Sequence, residues 1–272
     1  ALMALGLNPY NTNGESYIEK ITAGFDGKQF GDLNKDNDDI FALIVLQNAG
    51  FTQTEKIINN SIDFVLSRQK EDGSWDESVD MTGAGIGALA FLNQDEQVRK
   101  ALMKAKNFLK QSQKETGGWD NISSTAWAIE GILALSEKPE DWVKNGNTPF
   151  DYLTVNQNTD DGIKNLSIKG EDKNIQNKIW ETAYAITALS GKTWNQIMQK
   201  FEKPQAPIII AVPVKIAKKQ EIKKAETKKI SMVQNTAAPI IAVNDMPIKE
   251  KALEPVKKKS WLRIFFDKIF SF

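Results

Sequence analysis

Two stretches decide the fold: Phe64-Val65-Leu66-Ser67-Arg68-Gln69-Lys70-Glu71-Asp72-Gly73-Ser74-Trp75 and Phe108-Leu109-Lys110-Gln111-Ser112-Gln113-Lys114-Glu115-Thr116-Gly117-Gly118-Trp119. Aromatic, aliphatic, Gln, Gly and Trp recur in one order at a shift of 44 residues. A third copy begins at the same shift with Tyr152-Leu153 and Gln157, then reads Asp160-Asp161-Gly162-Ile163 and lacks the Trp. A weaker copy precedes them, with Tyr17-Ile18 and Asp26-Gly27. Self-similarity at a fixed period is the mark of a repeat architecture, in which each unit buries its apolar face on its neighbours.

Each unit holds two helical patterns. One is amphipathic, as in Glu55–Arg68 and Val98–Leu109, with apolar residues at the three-to-four spacing of a helix face. The other is apolar on nearly every side: Ile40–Leu46, Gly83–Leu92, Ala126–Leu135 and Ala183–Leu189. A helix apolar all round must be covered all round. The two patterns together predict an inner layer of apolar helices wrapped by an outer layer of amphipathic ones. Capping residues are expected at the inner starts: Asp38 or Asp39, Asp80 or Thr82, and Ser123 or Ser124. In the Gly-Trp loops the Trp would pack across a helix pair, and the Gln amide would satisfy exposed backbone groups. That role for Gln69, Gly73, Trp75, Gln113, Gly117 and Trp119 is structural.

Composition sharpens the division. The chain has 272 residues, no Cys and no His, with 35 basic and 35 acidic side chains. Disulfides, Cys/His metal sites, thiol nucleophiles and His-based triads are excluded. Residues 1–202 carry 29 acids and 20 bases, whereas 203–259 carry 13 lysines and 5 acids. All 17 glycines precede position 203, and 203–259 contains no aromatic residue. Such a stretch buries too little apolar surface to offset chain entropy. The expected organisation is a repeat domain at 1–202, a disordered basic linker at 203–259 and a short amphipathic helix at 260–272. The chain opens at Ala1 inside a repeat pattern, so an upstream part of the domain is expected to be missing.

The pattern aromatic-aliphatic-x-x-x-Gln-x-x-x-Gly-x-Trp resembles the QW motif of squalene–hopene cyclases. The whole unit is similar to the prenyltransferase and squalene oxidase repeat of the terpenoid cyclase/protein prenyltransferase superfamily. The resemblance covers roughly residues 1–202 and implies an all-α fold, an α/α-toroid of helical hairpins forming a partial ring around a cavity. The zinc-dependent prenyltransferases of that superfamily need an Asp, a Cys and a His, so their mechanism does not suit this chain.

One further stretch resembles the class II cyclases: Asp36-Asn37-Asp38-Asp39 fits their Asp-x-Asp-Asp acid motif. The resemblance implies Asp38 as a proton donor supported by Asp36 and Asp39. Clustering and burial both hold a carboxyl proton, as that chemistry requires. Phe41, Trp127, Trp180 and Tyr184 would then face carbocations with their π systems. The alternative is that these aspartates cap a helix or sit in a solvated acidic loop. Asp32-x-Asn34-x-Asp36 also resembles the opening of a calcium loop, but Asn37 and Leu43 stand where such a loop has Gly and Glu. No metal site and no cofactor are expected.

The C-terminal stretch supplies a different chemistry. Trp261, Leu262, Ile264, Phe265, Phe266, Ile269, Phe270 and Phe272 surround a narrow polar stripe, just after Lys257-Lys258-Lys259. Thirteen residues span about 20 Å as a helix, too short to cross hydrocarbon. They suit an anionic membrane surface, reached through 257–272, or docking on a protein face. The basic linker lacks aromatics for base stacking, so nucleic acid is not an expected partner. The leading expectation is a non-catalytic binding or surface module, tethered to a membrane, taking an apolar small molecule in its ring. The alternative is a class II cyclase-like isomerase. The sequence leaves the compartment unknown; a membrane-associated or cell-envelope place would suit the tail.

Overall fold

A computed structural model describes residues 1–92, 95–157 and 175–204, with the side chains of 175–178 left out. The described residues form helices α1 (Tyr17–Thr22), α2 (Asn37–Asn48), α3 (Lys56–Arg68), α4 (Val79–Leu89), α5 (Glu96–Ser112), α6 (Ile122–Ala134), α7 (Pro149–Val155), α8 (Ile175–Leu189) and α9 (Trp194–Ile197). Among them the only β pairing is isolated bridges in turns. The linker 203–259 beyond Pro204, the tail 260–272 and the third-copy loop 158–174 lie outside the described residues.

The two layers follow from the two patterns. In α5 the buried residues Val98, Ala101, Leu102, Ala105 and Leu109 keep one stripe, and the other faces carry charge. In α2 burial runs through Ile40, Ala42, Leu43, Ile44, Leu46 and Asn48, which encircle the helix. Accordingly α2, α4, α6 and α8 pack successively on one another, and α3, α5 and α7 each pack outside the inner helix they connect to. This is the all-α, α/α-toroid architecture, two-layered as the sequence predicts. α4 and α6 cross closely at Gly83, where a Cβ would lie 2.2 Å from the Trp127 carbonyl oxygen. Only the absence of a side chain allows α4 and α6 that approach.

The Gly-Trp loops are the joints between units. Trp75 and Trp119 are fully buried, and their indole Nε1–H groups donate to the Val65 and Leu109 carbonyls at 2.7 and 2.8 Å. Gln69 Nε2 donates to the Gly73 and Ala101 carbonyls, and Gln113 Nε2 donates to those of Gly117 and Trp142. Each Gln therefore ties its own loop to the following unit. Gly73 and Gly117 have φ of +93° and +83°, and a Cβ on either would lie 2.3 Å from a carbonyl oxygen of the next unit, Lys104 or Thr148.

A third clamp recurs in three units. The Trp75 N–H donates to Thr82 Oγ1 at 3.1 Å and the Trp119 N–H to Thr125 Oγ1 at 2.9 Å, each Thr in the first turns of an inner helix. In the earlier unit the Phe30 N–H donates to both oxygens of Asp39, at 3.0 and 3.1 Å. Phe30 is thus the counterpart of the two tryptophans, and Asp39 the counterpart of the two threonines.

The chain after α8, which includes α9, returns to the end of α2 and to the N-terminal segment. Asn48, at the end of α2, donates from Nδ2 to the Asn195 and Met198 carbonyls and accepts the Phe201 N–H at 2.8 Å. The Gln199 N–H reaches the Met3 carbonyl at 3.0 Å. Lys203, assigned by composition to the linker, pairs with Glu55 and lies over the Phe51 ring. Inside the ring, Phe41 of α2 meets Trp127 of α6 edge-on, with centroids 5.6 Å apart. Open volume lies at both ends of the inner helices, about 310 Å³ beside Phe41 and Trp127 and about 250 Å³ beside Asn48, Phe51 and Leu92.

Candidate functional site

The inner helices begin earlier than their sequence suggests. Their N-caps are Asp36, Ser78 and Asn121; Ser78 Oγ accepts the Met81 N–H, and Asn121 Oδ1 accepts the Ser124 N–H. The expected caps Asp38, Asp80 and Ser123 therefore sit inside the first turn. For α4 and α6 the physical reason is that the turn after the Gly-Trp loop already supplies a residue with extended backbone and a side-chain acceptor, whereas Asp36 has helical backbone and makes no side-chain cap bond. Asp80 and Ser123, released from capping, line a cavity.

That cavity measures about 310 Å³ and opens at the N-terminal ends of α2, α4 and α6. Its apolar wall is Phe41, Met81, Trp127 and Tyr184, and its polar wall includes Asn37, Ser78 and Asp80. The aromatic wall is continuous. Trp127 lies 5.9 Å from Tyr184 between ring centroids, and Tyr184 stacks on Trp180 at 6.3 Å and 29°. The structure thus brings Phe41, Trp127, Tyr184 and Trp180 into one chain, three of them on the cavity itself. A small-molecule site of about 300 Å³ is at the lower end of the usual range, enough for a short chain rather than a long polyene.

The acid of this cavity is Asp80. Its carboxyl pKa is raised, first by burial, which outweighs the hydrogen bond that Ser124 Oγ donates to it at 2.5 Å. Tyr184 is raised in turn, by burial and then by the Asp80 charge. The Oδ1 atom of Asn37 is buried without a hydrogen-bond partner.

The Asp-x-Asp-Asp stretch is placed otherwise. Asp36 pairs with Arg68 Nε of α3 at 2.7 Å. Asp38 is 2 % exposed; its Oδ2 accepts the Asp32 N–H at 3.0 Å and stands where a Cβ on Gly31 would go. Asp39 clamps Phe30, and burial pushes its pKa up to about 7 against the opposing effect of the Phe30 N–H. All three bind the loop and helix around them, and Asn37 is the residue of the stretch that lines the cavity. Among the described residues no group of three or more acidic side chains is placed to hold a metal ion.

Another buried acid lies on α6. Glu130 of α6 accepts the Trp194 N–H with Oε2 at 3.1 Å, while Oε1 is buried without a partner. Burial pushes its pKa up to about 8. Its signal in the sequence is plain in retrospect: one carboxyl within the apolar run Ala126–Ile132. Asp80 had no such mark, because an acid near a helix start reads as a cap.

Comparison with known proteins agrees with the repeat. Residues 33–172 match the family described as the squalene-hopene cyclase C-terminal domain. No curated protein matches the chain.

Proposed function

The chain belongs to the squalene-hopene cyclase C-terminal domain family, and from the cavity we propose that it is a binding module, which holds a small, largely apolar molecule against Trp127. The observation that carries the reading is the unbroken aromatic wall from Phe41 through Trp127 to Tyr184 around a space of about 310 Å³. Burial of apolar surface there is worth about 25 cal/mol per Å². The acids of the Asp-x-Asp-Asp stretch support the non-catalytic part of the reading, since each has a partner that fixes local structure. The tail supports a membrane tether: eight large apolar side chains follow three lysines at 257–259. Removal of 257–272 is then expected to release the protein from anionic liposomes.

One observation favours a class II cyclase-like isomerase instead. Asp39 keeps its proton up to about 7, and a carboxylic acid that remains neutral is what protonation of an alkene needs. Incubation of the purified chain with squalene separates the two. The binding module leaves squalene unchanged. Cyclised product that disappears in Asp38→Asn and Asp39→Asn, with the fold intact, would establish the isomerase.

A further inference from the structure

We propose that the preferred occupant of the cavity is an organic ammonium ion carrying a short apolar chain, its charged head between Asp80 and the faces of Phe41, Trp127 and Tyr184. The proposal rests on the binding reading above and names the ligand's chemical class.

Charge is the first argument. Among the described residues that line the cavity there is no Lys or Arg, and Asp80 is the acid. Its raised pKa has burial as the leading cause, and no neighbouring cation counters it. The hydrogen bond from Ser124 offsets only part of the burial of that carboxylate, so a ligand cation gains the charge partner that the cavity lining lacks. A neutral ligand would leave that penalty in place.

Hydrogen-bond polarity is the second. The helix N-termini around the cavity would ordinarily attract an anion, but on α4 and α6 one donor each is taken by the N-cap side chain. The Met81 N–H goes to Ser78 Oγ and the Ser124 N–H to Asn121 Oδ1. The charged group that the wall presents is the Asp80 carboxylate, beside the Asn37, Ser78 and Ser123 side chains. An anion would face that carboxylate. An ammonium head supplies it with donors.

Aromatic geometry is the third. Trp127 is tilted 50° to Tyr184 and 68° to Phe41, so the three rings present differently oriented surfaces to one small volume. Tryptophan and tyrosine faces attract cations through the ring quadrupole, most strongly where water is excluded. The tilt that spoils mutual stacking suits a compact cation, whose charge can meet more than one face.

The test uses the full chain and two probes of equal length, hexylammonium and 1-hexanol, at neutral pH. Binding is followed by the indole N–H signal of Trp127 in two-dimensional NMR. Hexylammonium is expected to bind about tenfold more tightly than hexanol. Asp80→Asn, which keeps an acceptor for Ser124, is expected to erase that difference. Asp80→Ser, borrowing the residue type that α6 carries at Ser123, should do the same if the Asn variant folds poorly. Equal affinity for the two probes in the wild type overturns the ammonium proposal and leaves the binding module standing. Failure of both probes to bind overturns both. A preference for hexylammonium that survives in Asp80→Asn overturns the assignment to Asp80.

Discussion

Asp39 offers the strongest quantitative test of how the acidic stretch is used. Its carboxyl is pushed from 3.8 to about 7, mainly by burial. Because the folded pKa lies above the unfolded one, the native state binds more protons than the unfolded chain between those values. Stability is therefore greatest at the acidic end of that window and falls as pH rises through it. At 1.36 kcal/mol per pH, the full span corresponds to about 4 kcal/mol. Relaxation and water entry on ionisation reduce it, so a loss of about 2 kcal/mol is the working figure. Asp39→Asn keeps an oxygen for the Phe30 N–H and removes the titration. It is expected to be more stable than the wild type by about 2 kcal/mol at pH 8 and equal or less stable at pH 5. Urea unfolding followed by circular dichroism at both pH values reads the difference directly. Asp39→Thr should fold with the same flattened pH response, because Thr82 and Thr125 already perform this clamp in the next two units. A wild type minus variant difference that does not change with pH would refute the argument. So would an Asp39→Asn protein less stable at both values.

The other expectations concern the joints and the closure. Gln113→Ala leaves the Gly117 and Trp142 carbonyls without their amide donor inside the protein, at a cost of about 2–3 kcal/mol in the same unfolding assay. Gly117→Ala must accommodate a Cβ 2.3 Å from the Thr148 oxygen at a φ of +83°, and the backbone conformation alone costs about 1–3 kcal/mol; thermal melts should fall further for it than for an exposed Gly146→Ala. Glu130→Gln removes an acid that titrates at about 8 in the fold against 4.5 in the unfolded chain. By the same sign it should stabilise the protein above pH 8 and have little effect at pH 5, again by urea unfolding.

What the sequence made legible is what it repeats. Gln69 and Gln113, Trp75 and Trp119 recur at one spacing, and their hydrogen bonds recur with them. The inner helices were legible because all-round apolarity has only one solution in water. Phe30 was hidden for a physical reason: the clamp needs only its backbone N–H and a buried ring, so another aromatic at another distance from the glycine serves as well. Asp80 and Asp38 read alike, as acids in a first helical turn. Whether such an acid faces a cavity or a loop depends on helix rotation, and the position of the N-cap sets that rotation. The hydrogen bonds of Asn48 join residues about 150 positions apart, and no local pattern announces such a contact. The aromatics Phe41, Trp127, Trp180 and Tyr184 could be named individually from their helices, but their succession, with three of them on one cavity, comes from the packing of α2, α6 and α8.

The central claim is that this ring binds a small molecule at the aromatic cavity, and the indole N–H spectrum tests it most directly. The chain has seven tryptophans; Trp75 and Trp119 donate to carbonyls in the sealed joints, whereas Trp127 borders the cavity. Titration with 1-hexanol, with Trp127 identified by the signal lost in Trp127→Phe, is predicted to shift the Trp127 resonance saturably while those of Trp75 and Trp119 stay in place. A Trp127 signal that does not move, or tryptophan signals that all drift together without saturation, would contradict the account.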